Sequence, residues 1–304
     1  MSVCWLCPGQ GSQSPEMFGR LVADARVGPH LRRLAAGLTF DALAIGADAG
    51  RCFVNRHAQP LIVLYGLAVA AALEEAGIEA GLAAGYSVGE LTAHAVAGAL
   101  APEAVLALAS ERAACMDACT PPEHGMLAVR GVRLATIEAL AASAGAVVAI
   151  RNGADHAVLA GPNPALARIA TELERLGAHV VPLRITVPAH SHWLAEGGVR
   201  FTAALAAAPW QAHRAPVVAG IDGRPVSSAA EAIDTLGRQI SSPIDWARAL
   251  DVAVEMGASA FFELGPGSAL TRMVREHTPA LSARAFEEFA SLEGAIAWLR
   301  RQGG

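Results

Sequence analysis

The pentapeptide Gly85-Tyr86-Ser87-Val88-Gly89 constrains this chain more than any other feature. It follows the small-residue run Leu82-Ala83-Ala84 and precedes a helical pattern from about Glu90 to Gly98. A strand that reverses into a helix this tightly needs glycines at its flanks, and it holds the central serine at the tip of the turn. The backbone N–H after the serine then points at the same place. A glycine-rich turn with an incidental serine is the plainer alternative, but the strand before and the helix after favour the elbow.

Other turns and periodicities order the rest of the chain. Val3 to Cys7 reads as a short strand ending in Pro8-Gly9-Gln10-Gly11-Ser12-Gln13. That loop is either a ligand-facing one, whose glycines let backbone approach closely, or a simple connection. Pro60 to Ala76 reads as a buried helix stopped by Gly77, and Pro102 to Cys119 as a helix ended by Thr120-Pro121-Pro122. From Gly125 to about Thr186 the pattern is strand (Met126–Val129), helix (Leu134–Ser143), strand (Ala146–Arg151), strand (Ala157–Ala160), helix (Pro164–Leu176) and strand (Val180–Ile185). This β-α-β-β-α-β unit predicts a small split-βαβ subdomain at 123–187, with hinges near Pro121-Pro122 and Pro188, inserted into a core formed by 1–122 and 188–304. The core resumes with Val217–Ile221, helices near Ala229–Ile240 and Trp246–Met256, and the strand Ala260–Leu264, closed by Gly265-Pro266-Gly267.

Composition excludes several chemistries. With 304 residues, 53% hydrophobic and 17% charged, the chain is a packed globular one with room for a large core. All 23 basic residues are arginine. A Walker-type phosphate loop and Schiff-base or pyridoxal-phosphate chemistry both need a lysine, so those classes fall away. The net charge of -5 gives no global attraction to nucleic acid. The apolar stretch Pro60–Leu73 is too short for a bilayer span and runs into Glu74 and Glu75, so no membrane partner is expected. No secretory signal is visible at the N-terminus, and the five cysteines are an odd number for a disulfide framework, which makes the cytoplasm the expected compartment. Cys4 and Cys7 form a C-x-x-C, but on a strand their side chains face opposite ways, so no metal site is expected.

Five motifs occur together and in order: Pro8 to Gln13, Gly85 to Glu90, Arg112, Val187-Pro188-Ala189-His190, and Glu263-Leu264-Gly265-Pro266-Gly267. Over nearly its full length the chain resembles the malonyl-CoA:acyl-carrier-protein transacylases. The resemblance implies an α/β fold: a hydrolase-like core with a parallel sheet plus an inserted ferredoxin-like subdomain, which agrees with the pattern read from the residues. It implies Ser87 as acylated nucleophile and His190 as general base and then general acid. His192, two positions on, is the competing histidine and is read as an exposed or capping neighbour. A backbone carbonyl orients the histidine in this family, and Gln239 is the matching position. Backbone N–H groups of Val88 and Gln10 would form the oxyanion hole. Arg112, 25 positions after Ser87, would bind the free carboxylate of malonate as a bidentate charged pair, helped by Gln59 just before the helix at Pro60.

One departure sharpens the resemblance. The family usually has His before the nucleophile, whereas this chain has Tyr86. The form Gly85-Tyr86-Ser87-Val88-Gly89-Glu90 is most similar to the epsilon subunit of malonate decarboxylase, a member of the same family. The implied reaction takes malonyl from malonyl-CoA, without a permanently bound cofactor, to the thiol of an acyl carrier protein. That thiol belongs either to a phosphopantetheine-type group of a fatty-acid carrier or to the phosphoribosyl-dephospho-CoA group of the decarboxylase carrier subunit. A serine thioesterase or hydrolase shares the elbow, though Arg112 argues against a plain esterase. A non-catalytic carrier-docking module is the reading from another class. Arg272 and Arg275, or Arg32 and Arg33, are candidate contacts for an acidic carrier, or ordinary solvated helix faces.

Overall fold

The computed structural model describes residues 2–303. It has two sheets. The larger runs in the order β11-β10-β1-β2-β7-β8, where β1 is Ser2–Cys7, β2 Leu82–Gly85, β7 Val217–Val218, β8 Pro225–Val226, β10 Ala258–Glu263 and β11 Ser282–Ala285. All neighbours are parallel except the β7–β8 pair. Every residue of β2 and all but the first of β1 are buried. Burial of alternate side chains on both faces requires cover on both sides, which the helices supply.

The order places the chemistry. The chain starts in the middle of the sheet at β1, adds β2 and β7 on one side, then crosses over to add β10 and β11 on the other. Ligands of such sheets bind outside the carboxyl ends of the strands near that reversal. Because β1 and β2 are parallel and in register, with Cys7 opposite Gly85, the loop after β1 and the elbow after β2 emerge side by side.

The smaller sheet runs β6-β3-β5-β4-β9, with β3 His124–Arg130, β4 Val147–Arg151, β5 His156–Pro162, β6 His179–Pro182 and β9 Ile244–Asp245. The first four strands are antiparallel, and with the helices Leu134–Ala144 and Asn163–Arg175 they follow the expected β-α-β-β-α-β order. One face, with Leu127, Val129, Ala157 and Leu159, packs on those two helices as a separate apolar cluster. The opposite face, with Met126, Val158 and Ala160, belongs to the main core and looks toward the elbow. The fifth strand, β9, is parallel to β4 and comes from residues well beyond 187.

Three elements differ from their sequence reading. The long helix spans Asn55–Glu75, starting a turn before Pro60. Proline there forfeits one helical hydrogen bond, but Asn55, Ala58 and Gln59 lie on the buried side, and packing outweighs the breaker. Gln59 therefore sits inside the helix rather than before it. By length and apolarity this helix could cross a bilayer, yet most of it is buried within the chain, as expected of a core helix. β6 stops at Pro182, and β7 keeps only two of the five residues expected at 217–221 because the chain turns back to pair with β8. Cys4 and Cys7 lie fully buried in β1, where burial pushes both thiols well above their ordinary range.

Candidate active site

The elbow is as tight as its glycines suggest. A Cβ on Gly85 would lie 2.1 Å from Glu90 Cα, and one on Gly89 would lie 2.0 Å from the Cys7 carbonyl oxygen. Ser87 itself has a φ of 56°, a left-handed conformation rare for a residue with a side chain. Such strain persists only where neighbours over-determine it. Here the Tyr86 N–H donates to Cys7 O at 2.9 Å, and the Gly89 and Glu90 N–H groups donate to Tyr86 O and Ser87 O at 3.0 and 3.1 Å.

His190 reaches the serine from a second strained turn, with a φ of 60°. Its Nε2 is 2.8 Å from Ser87 Oγ and its Nδ1 is 2.7 Å from the main-chain oxygen of Gln239. A carbonyl oxygen only accepts, so Nδ1 carries the proton and Nε2 presents a lone pair to the serine hydroxyl. No carboxylate is needed to fix this tautomer. Burial, and secondarily the positive charge of Arg112, lower the His190 pKa to about 3, so the ring is neutral and able to accept a proton at physiological pH. His192 is exposed and lies over Trp193, with ring centroids 4.1 Å apart.

Arg112 is only 1% exposed, and it has no carboxylate within ion-pairing distance among the described residues. Its guanidinium donates to Gln59 Oε1 at 2.7 Å, to Gln239 Oε1 at 3.1 Å and, at 3.4 Å, to Ser87 Oγ. Its Nε has no partner. Burial lowers its pKa to about 10, opposed by the charge of Glu90, so it stays a cation at neutral pH. A buried, incompletely paired cation is costly unless an anion completes it. Among the described residues, neutral side chains alone hold this cation next to the nucleophile.

The backbone N–H groups of Gln10 and Val88 donate to no protein acceptor among the described residues. Gly9, just before Gln10, is pressed against the elbow: a Cβ there would lie 2.5 Å from Tyr86 O. Glycine thus lets the first loop pack directly against the elbow. Gln10, Ser87 and His190 line a cavity of about 50 Å³, closed on its far side by Met126, Ile150, Val158, Leu183 and Ile185 around the smaller sheet.

Every site residue read from the sequence is thus brought to one place. Three further groups complete it. The Gln239 side chain, expected to matter only through its main chain, donates to Glu90 Oε2 at 2.7 Å while accepting from Arg112. Glu90 is fully buried, also accepts from the Gly220 N–H at 2.9 Å, and has its pKa raised to about 7 by burial. Asn55 Oδ1 accepts from Gln59 Nε2 at 2.9 Å, which fixes the amide whose oxygen meets Arg112. Polar residues on a buried helical face were the available signal for Asn55, but it showed only once the helix began before Pro60. Tyr86 donates its hydroxyl to Asn152 Oδ1 at 3.1 Å, joining the elbow to the smaller sheet, and its ring packs edge-on against Trp246.

Residues 4–289 match the acyl transferase domain family, and the chain belongs to it. Among its relatives is the malonyl CoA-acyl carrier protein transacylase of Mycobacterium tuberculosis, 30% identical over 297 residues, covering 96% of this chain and 98% of the relative. The enzyme of that name from Salmonella typhimurium is 28% identical over 299 residues, covering 95% and 97%. The crystal structure of the acyl-carrier-protein S-malonyltransferase from Burkholderia pseudomallei superposes with a TM-score of 0.90 at 28% identity, covering 98% of this chain and all of that one.

Proposed function

We propose that the protein is a malonyl-CoA:acyl-carrier-protein S-malonyltransferase working through a malonyl-Ser87 ester. The observation that carries this reading is Arg112, a buried cation with no carboxylate partner among the described residues, 3.4 Å from a serine hydroxyl that is itself 2.8 Å from a neutral histidine. Ser87 Oγ adds to the thioester carbonyl as its proton passes to His190 Nε2, and the oxyanion is received by the N–H groups of Gln10 and Val88. The C–S bond breaks, the CoA sulfur takes the proton from His190, and the acyl group remains on Ser87. A carrier thiol then repeats the sequence in reverse. Arg112, held by Gln59 and Gln239, pairs with the malonyl carboxylate throughout and so favours diacid over monoacid cargo.

Residues 123–187 act, in this reading, as an inserted subdomain that roofs the acyl site of a core formed by 1–122 and 188–304. For the acceptor we favour the carrier subunit of malonate decarboxylase over a fatty-acid carrier, on the similarity of Gly85-Tyr86-Ser87-Val88-Gly89-Glu90 to the epsilon subunit of that enzyme. We also favour a cytoplasmic location, on the five cysteines, an odd number for a disulfide framework.

The test is intact mass after incubation with malonyl-CoA. A malonyl adduct is expected on the native chain and none on Ser87→Ala; an adduct that survives the substitution, or none on the native chain, overturns the reading. Transfer rates to holo-carriers bearing each prosthetic group decide between the two acceptors, and equal or reversed preference removes the decarboxylase assignment.

A further inference from the structure

Glu90 follows the elbow directly, in the first turn of the Gly89–Val96 helix, and is fully buried. Its two oxygens have unequal surroundings. Oε2 accepts from the Gly220 N–H at 2.9 Å and from Gln239 Nε2 at 2.7 Å, while Oε1 has no partner among the described residues. The Gln239 amide also faces the other way, because its Oε1 accepts from Arg112 at 3.1 Å. One neutral amide thus spans a buried carboxyl group and a buried cation. Burying either charge alone is costly, and each offsets the other across that amide.

Few other charges act on Glu90. Arg112, the one charged residue buried on the Pro102–Cys119 helix, favours its carboxylate form, and Asp222, between β7 and β8, opposes it. The other elements packed on the Gly89–Val96 helix are β1, β2 and the Asn55–Glu75 helix, and they bury only uncharged residues. His94 on the same helix and His190 are kept neutral by burial. Burial is the dominant influence on Glu90 and raises its pKa to about 7, so it exchanges a proton near neutral pH. An anion placed beside Arg112 would engage the cation and add negative charge nearby, and both effects favour the protonated acid. Oε1 can take that proton without disturbing either hydrogen bond at Oε2.

We propose that Glu90 takes up a proton from solvent when a malonyl group is esterified to Ser87, and returns it when the group leaves. The inference rests on the transacylase reading. The proton comes and goes with the acyl group, so it is absent from the net reaction. Protonation leaves Arg112 facing one anion, the malonyl carboxylate, and keeps Gln239 in place between Arg112 and Glu90. An acetyl group brings no anion and leaves Glu90 ionised. Glu90 is in this way a positioning residue that acts through Gln239 and matches the charge of the site to a diacid. The sign follows from linkage: the ester raises the Glu90 pKa, so malonyl-Ser87 is most favoured below about pH 7 and less so as pH rises above it.

An indicator dye in weakly buffered solution reads the protons taken up, and intact mass gives the ester formed. At about pH 8 malonyl-CoA should take up about one more proton per ester than acetyl-CoA does. Both donors release the same thiol, so the difference between them is free of its ionisation. At about pH 5.5, where Glu90 is already protonated in the free enzyme, the difference should vanish. Glu90→Gln holds the shape of the protonated acid and should abolish the difference at both pH values; expressing it per ester removes any loss of activity from the comparison. No difference on the native chain at the higher pH, one that persists at the lower pH, or one that survives in Glu90→Gln overturns the proposal. The native comparison decides even if the variant fails to fold. If malonyl-CoA leaves no ester, the transacylase reading fails. Calorimetric titration with monomethyl malonate, in buffers of different ionisation enthalpy, then reads the proton directly, and binding without uptake, or no binding, overturns the role of Glu90.

Discussion

At the residue scale the site is built from groups that hold one another out of their ordinary states. His190 is kept neutral by burial and by Arg112, with its pKa lowered to about 3. The base works when unprotonated, so activity is retained above its pKa and lost below it. The acid limb of kcat/KM, which reports the free enzyme, should therefore lie well below the 6.5 of an unperturbed histidine. Brief pH jumps before assay would measure it without prolonged acid exposure. Arg112→Met removes the positive neighbour and should move that limb upward. The same variant should lower the preference for malonyl-CoA over acetyl-CoA by two to three orders of magnitude, the scale of losing one partner of a buried charge pair. Gln239→Leu keeps the main-chain oxygen that orients His190 but removes one of the two donors to Glu90 Oε2 and leaves one Arg112 N–H without its acceptor. It should cost about 1–3 kcal/mol in denaturant unfolding and raise KM for malonyl-CoA more than it lowers kcat. His190 and Gly85 to Gly89 were legible because their chemistry sits in contiguous motifs. The side chain of Gln239 was not, because its partners Arg112 and Glu90 lie 127 and 149 positions away.

At the scale of elements, the elbow is where sequence and structure agree most closely. Its demand is local: a turn between β2 and the Gly89–Val96 helix that leaves no room for a Cβ. Gly89→Ala would set a methyl against the main-chain oxygen of Cys7, which is backbone and cannot swing away. Destabilisation of about 3 kcal/mol or more is expected, measured by denaturant unfolding, together with loss of the malonyl adduct. The Asn55–Glu75 helix shows the opposite case. Proline usually marks a helix start, so Pro60 pointed to the wrong first turn. Burial of Asn55 and Gln59 beside Arg112 decided the true start, and that burial is a property of the neighbouring Pro102–Cys119 helix rather than of the local residues.

At the scale of the whole molecule, the site lies between two sheets, and the contact between them is part of it. The Tyr86 hydroxyl on Asn152 is a buried hydrogen bond from the elbow to the turn after β4. Tyr86→Phe should cost about 1–2 kcal/mol by leaving Asn152 Oδ1 without its donor. If the bond also sets the width of the cleft, acylation should slow with the adduct still on Ser87, read by single-turnover mass measurements. By itself the sequence determined what local sterics and periodicity dictate: the elbow at Ser87, the β-α-β-β-α-β run, the exclusion of lysine chemistries, and, through five ordered motifs, the family resemblance. Tertiary structure decided what depends on distant chain segments meeting. It set the Gly9-Gln10 loop against the elbow by placing β1 next to β2, tied Gln239 to Arg112 and Glu90, and recruited β9 to the smaller sheet. It also brought Met126 of the smaller sheet into the wall of the cavity at Ser87. Strand alternation put Met126 on the face of β3 opposite the two helices, but only the packing of that face against the elbow made it part of the site.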